Sequence, residues 1–154
     1  MEWEVILPSY ETLDAIADSY IPALALISLA VIAADAFRVQ WRLVSLRIFA
    51  FLGIALIAYS LMFLDGRLDI WPAFGLDYST HTAVASGLVL FLSFCVPRWT
   101  VFWIFSLISY ALLMLYQRYH TIADIITTGL AVSIPMMLIL SVLHRHRQTR
   151  TVTQ

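Results

Sequence analysis

The sequence contains no lysine: all nine of its basic residues are arginine. Cysteine is nearly absent too. The single Cys95 excludes an internal disulfide, and its apolar surroundings mark it as a small buried or lipid-facing side chain. Charge of either sign is scarce, at 12% of residues against about a quarter in an ordinary soluble domain. No nucleic-acid partner is expected. The first eighteen residues hold five acids and no base. A secretory leader needs the reverse, a positive start, so no cleavable signal is expected.

What fills the chain instead is hydrocarbon. Hydrophobic residues make up 62% of its 154 positions, and the mean hydropathy is +0.87. This is membrane-protein composition, and the length suits one domain. A helix needs about 20 mostly apolar residues to cross a bilayer core of about 30 Å. Five stretches qualify or nearly do: residues 20–37, 46–64, 79–96, 99–116 and 121–143. Lipid leaves no partner for an unpaired backbone group, so these runs are expected to be helices. The expected fold is therefore all-α, a polytopic membrane bundle of about five transmembrane helices. Residues 1–143 form one membrane domain, with 1–18 a possible interfacial helix. Residues 144–154 form a polar, frayed cytoplasmic tail.

Arginine placement orients the bundle. Arg38, Arg42, Arg47, Arg98, Arg145, Arg147 and Arg150 fall on one side of a five-helix topology, and only Arg67 and Arg118 on the other. The N-terminus is expected outside and the C-terminus in the cytoplasm, in the cell membrane. The "HRHR" of residues 144–147 reads as an anchor beside anionic head groups rather than a metal site. Asp35 is expected to reach the interface or pair with Arg38. Trp71, Trp99, Trp103 and Tyr116 read as interface-belt or packing aromatics. Pro135 is expected to kink the fifth helix. Gly129, Ala131 and Ser133 are expected to permit close helix approach.

Two polar stretches stand out against this background. "DYSTHTA" (77–83) opens the third helix, and "RYHTIAD" (118–124) opens the fifth. Both would begin on the outer face. Helix starts carry unpaired N–H groups and partial positive charge, which favour anions. His120 and Asp124 stand four residues apart and share a face if that segment is helical. A carboxylate on one ring nitrogen fixes the tautomer and leaves the other nitrogen free to attack. His81, the only other histidine on that face, would protonate a leaving oxygen. Arg118 suits phosphate oxygens. The same residues also admit a simpler reading. Thr121 and Asp124 match a helix-capping pair, and Ser79 or Thr80 would cap the third helix.

At these two stretches the chain resembles the type 2 phosphatidic acid phosphatase superfamily. "YSTHTA" is similar to its P-S-G-H-T motif, and "HTIAD" to the end of its H-x-x-x-D motif. The arginine of "RYH" is placed as in the sphingomyelin synthase branch. The likeness covers roughly residues 65–140. It implies His120 as nucleophile, Asp124 as its orienting partner and His81 as the acid. Phosphate would be bound by Ser79, Thr80, Arg118 and Arg67, without metal or cofactor. The chain departs from the pattern in several places. The family's motif lysine has no counterpart, and "RLDIWP" (67–72) only loosely echoes the arginine-proline end of the first motif. Met114 stands where the phosphatases have an arginine, and Tyr78 and Thr80 replace proline and glycine. Family members commonly have six membrane helices.

One or two arginines beside Asp65, Asp69 and Asp77 make a weakly cationic site. A phosphomonoester carries about −1.5 to −2 charges and a diester one, so the balance favours a diester. The expectation is a lipid phosphoesterase or phosphotransferase acting through a phosphohistidine at the outer leaflet. Its partners are a membrane lipid and a lipid hydroxyl or water as acceptor. The alternatives are a lipid-phosphate monoester phosphatase, on isoprenyl or diacylglycerol phosphates, and a non-catalytic lipid-binding relative. The sequence assigns no oligomeric state.

The orientation is testable in a Cys95→Ser background. With Leu76→Cys, a membrane-impermeant maleimide is expected to label intact cells. With Gln40→Cys, it is not. The opposite pattern would invert the topology.

Overall fold

Five helices carry the chain. The computed structural model describes residues 9–148, with side chains to residue 142; residues 1–8 and 149–154 lie outside the described residues. The helices are α1 (Tyr10–Phe37), α2 (Trp41–Leu68), α3 (Thr80–Cys95), α4 (Thr100–Tyr116) and α5 (Ile122–Gln148). Single 3-10 turns at Pro72–Phe74 and Pro97–Trp99 lie before α3 and α4. No strand occurs among the described residues. Residues 10–18 are the first turns of α1, and α5 continues past position 143 to Gln148. The rest of the expected tail lies outside the described residues.

Four of these helices (α1, α2, α4 with its preceding turn, and α5) are long and apolar enough to cross a membrane. Their outer faces expose Leu26, Phe49, Leu56, Phe105, Leu130 and Leu138. Such a surface matches lipid, not water, and the chain has the build of a multi-pass membrane protein. α3 differs. Its 16 residues span about 24 Å, short of the core thickness of about 30 Å.

α3 is short because it is the centre. It packs against each of the other four helices, and Ala83, Ala85, Phe91 and Leu92 on it are completely enclosed. Hydrocarbon gains little by leaving lipid for a protein interior, so association here rests on close packing. Gly87 shows how close. A Cβ on it would lie 2.5 Å from Ile54 Cγ2 of α2. At Gly129, one of the small residues singled out in the sequence, a Cβ would make only ordinary contacts, the nearest with Ser86 Oγ at 3.6 Å.

The end of the bundle where α1 finishes is closed by a buried ion pair. Arg47 Nη1 of α2 donates to Asp35 Oδ2 of α1, and Nη2 donates to Cys95 O of α3 at 3.4 Å. Asp35 is thus buried and paired with Arg47, not with Arg38. The backbone explains the change of partner. α1 ends in a tight turn, with Val39 left-handed (φ 58°) and Gln40 N–H donating to Asp35 O. This turn reverses the chain and sends α2 back along α1. The aromatics divide as well: Trp71 and Trp103 are buried packing residues, whereas Trp99 and Tyr116 stay exposed.

Gly87→Ala tests the central contact. Overpacking costs about 1–3 kcal/mol, against a helix-propensity gain of about 1 kcal/mol. The variant is expected to unfold at a lower temperature in detergent. Combined with Ile54→Ala, which removes the opposing methyl, the loss should be smaller than the sum of the singles.

Candidate functional site

The candidate site lies at the other end of the bundle, where α1 starts, α4 finishes, and α3 and α5 begin. Each start is built locally. Ser79 caps α3, its Oγ accepting from Thr82 N–H at 3.2 Å and from Thr82 Oγ1 at 2.8 Å. Thr121 and Asp124 form a reciprocal cap on α5. Thr121 N–H donates to Asp124 Oδ2 at 2.7 Å, and Asp124 N–H to Thr121 Oγ1 at 3.2 Å.

The second oxygen of Asp124 joins the two starts. Asp77 N–H, just ahead of α3, donates to Asp124 Oδ1 at 2.8 Å. Ser79 N–H donates to Thr128 Oγ1 of α5 at 3.2 Å. The segment leading into α3 is held as firmly. Trp71 N–H donates to Asp65 Oδ1 at 2.7 Å, and the Trp71 indole N–H to Thr127 Oγ1 at 3.0 Å. The Tyr78 hydroxyl donates to Ala58 O at 2.8 Å. Burial, seconded by the charge of Asp65, pushes the Tyr78 phenol up to about 12, so it stays a donor.

α4 delivers the other segment. Its end is a Schellman turn: Arg118 N–H donates to Leu115 O and Tyr119 N–H to Met114 O, with Arg118 left-handed at φ 59°. Glycine is the usual residue there. The turn throws Tyr119 and His120 back over the bundle. The Tyr119 hydroxyl donates to Asp14 Oδ1 of α1 at 2.6 Å and accepts from the Tyr10 hydroxyl at 3.3 Å. The bond to Asp14, joined by the one from Tyr10, raises the Tyr119 phenol above its ordinary range.

These constraints bring His81 and His120 to one cavity of about 320 Å³. Asp14 and Asp18 of α1 face it, with Tyr110 and Met114 of α4 and the Tyr119 ring. His120 Nδ1 lies 3.5 Å from Asp77 Oδ2. It is buried and has no hydrogen bond, so the pair sits just outside bonding range. The carboxylate that meets the His120 ring is thus Asp77. Both oxygens of Asp124 are taken by backbone N–H groups, and Asp124 bonds to no histidine.

The expected phosphate ligands are dispersed. Ser79 is fully buried in its cap, and Thr80 is half-buried beside it. Arg67 stacks over Phe63 of α2, 4.8 Å from the ring centroid, and does not line the cavity. Arg118 is exposed and outside the lining. Met114 does line it, at the position where the resemblance would place an arginine. The acids on the cavity wall were missed in the sequence. Their signal was present: Asp14 and Asp18 stand four apart, as one helical face requires. No group of three or more metal-ligating side chains occurs among the described residues.

Compared with protein families, with curated proteins and with solved structures, the chain matches none.

The two aspartates can be told apart by stability. Asp124→Ala strands two backbone donors and is expected to cost about 3–6 kcal/mol, from charge-assisted bonds of about 1.5–3 kcal/mol each. Asp77→Ala removes only an exposed carboxylate and should leave the unfolding temperature nearly unchanged. Thermal unfolding in detergent reads both.

Proposed function

We propose that the chain is a membrane enzyme that transfers or hydrolyses the phosphoester of a lipid, with His120 as nucleophile. The observation that carries this reading is that His81 and His120, from two separate helix starts, line one cavity. Each starting helix adds partial positive charge for the phosphate. With five spans and the arginine bias, the cavity opens at the outer leaflet.

The chemistry follows from the placement. His120 Nδ1 is turned into the protein toward Asp77, which leaves Nε2 for the cavity. Nε2 attacks phosphorus, the phosphorus–nitrogen bond forms, and the bond to the leaving oxygen breaks. Protonated His81 gives its proton to that oxygen. A lipid hydroxyl or water then gives its proton to His81 and attacks phosphorus, releasing His120. The 3.5 Å gap to Asp77 shortens as Nδ1–H takes on positive character. Catalytic hydrogen bonds are commonly long before substrate binds. Asp124 acts as a positioning residue, and Arg118, exposed outside the lining, turns in to meet the bound phosphate.

The cavity wall bears on the substrate. Asp14 and Asp18 line it with no arginine among them. A dianionic monoester would face two carboxylates, while a singly charged diester would be repelled less, and one with a cationic head group would offset that repulsion. This favours head-group transfer over monoester hydrolysis.

The test is mass analysis of lipids after incubation of purified protein in phospholipid vesicles. A new head-grouped lipid is expected; free inorganic phosphate instead would favour the monoester phosphatase. His120→Ala should abolish turnover, and His81→Ala should lower it about 10²–10⁴-fold. Arg118→Gly should relieve left-handed strain of about 1 kcal/mol, raising stability while lowering turnover. Wild type with no turnover of any phosphoester would leave only the lipid-binding alternative.

A further inference from the structure

α4 and α5 both pack on α3, yet they scarcely touch each other. Between them runs a groove of about 330 Å³. Its floor is Thr82 and Ser86 of α3, and its walls are apolar side chains such as Ala111 of α4 and Ile126 and Leu130 of α5. Tyr110 lines both this groove and the histidine cavity, so the two adjoin. At its rim Ile108, Ile126 and Leu130 are exposed on the faces that meet lipid.

We infer that this groove holds one hydrocarbon chain of the lipid whose phospho-head group enters the histidine cavity, so that substrate enters sideways from the bilayer. The inference rests on the proposed phosphoryl chemistry for its head-group end. Dimensions select the occupant. Along α5 the groove runs from Ile125 to Ser133, which is about 12 Å of helix rise. That lies within one leaflet's half of a core of about 30 Å. A neighbouring helix, about 10–12 Å across with its side chains, would need several times this volume over the same length. The polar end at Tyr110 meets the histidines, and the apolar remainder opens to lipid, which is the polarity of a lipid lying along the protein. A chain leaving bilayer for groove gains little hydrophobic free energy, because lipid tails are as apolar as the groove wall. The groove therefore aligns the phosphoester on His120 and adds little to affinity.

The experiment uses the full chain in phosphatidylcholine vesicles doped with a phosphatidylcholine carrying a diazirine midway along one acyl chain. After illumination, the labelled residues are mapped by mass spectrometry. Label is expected to concentrate at 107–111 and 125–133, in wild type and in His120→Ala alike. Ala111→Trp in the wall and Ile126→Trp at the rim should each deplete that label. Each should also lower the preference for long-chain over short-chain substrate by about tenfold or more, as misalignment does. Label spread evenly over the lipid-facing helices, or unchanged in both tryptophan variants, overturns the groove. A labelled groove without turnover of any phosphoester sinks the catalytic reading and leaves the groove standing. Turnover that depends on His120, with label elsewhere, does the reverse.

Discussion

The carboxylate of Asp124 is the joint on which the upper end of the molecule depends. One oxygen closes the first turn of α5, and the other holds the backbone just before α3. A helix start leaves N–H groups without partners, and an apolar surrounding makes each of them expensive. One buried carboxylate answers that cost for two segments at once, and so fixes the distance between them. His120 precedes this joint on one side, and His81 follows it on the other. Their common cavity is thus a consequence of capping. Capping and catalysis, which the sequence presents as competing explanations of the same residues, are compatible here. On the proposed reading, the cap positions, and the histidines react.

The rest of the fold serves the same end. α3 is flanked by four partners, and most of its central residues are buried. At the opposite pole the Arg47–Asp35 pair binds α1 to α2 and reaches the last turn of α3. Breaking such a buried pair from one side costs about 3–5 kcal/mol. At the cavity end the Asp124 joint holds α3 to α5, and only the start of α1 is tethered lightly, through Tyr119 and Asp14. On the proposed reading this division is functional: the core and the Asp124 joint are rigid, and the α1 wall of the cavity is held by exposed hydrogen bonds. The acids of α1 give the cavity a charge opposite to a phosphate clamp.

Much of this was legible in the sequence. Five apolar stretches correspond to the five helices, because in lipid the backbone has no other way to pair its polar groups. Ser79, Thr121 and Asp124 sit at helix starts and cap them, since capping is a matter of residue type at local spacing. His81 and His120 were singled out for the same local reason. Other features were misread or missed. Asp35 was expected at the interface or paired with Arg38, three residues away, and is instead buried against Arg47. Asp14 and Asp18, within the stretch 1–18 set apart as a possible interfacial helix, were not read as wall residues.

By itself, then, the sequence determined the helices, their caps and the two polar openings, all of which depend on neighbours within a few positions. Only the tertiary structure decided which carboxylate meets His120, which acids share its cavity, and that α4 and α5 stand apart. Those outcomes depend on how α3 is enclosed: on Gly87 closing against Ile54, and on a turn at Arg118 that adopts a left-handed form its own side chain disfavours. Packing between residues far apart in the chain sets them, and no local pattern records it.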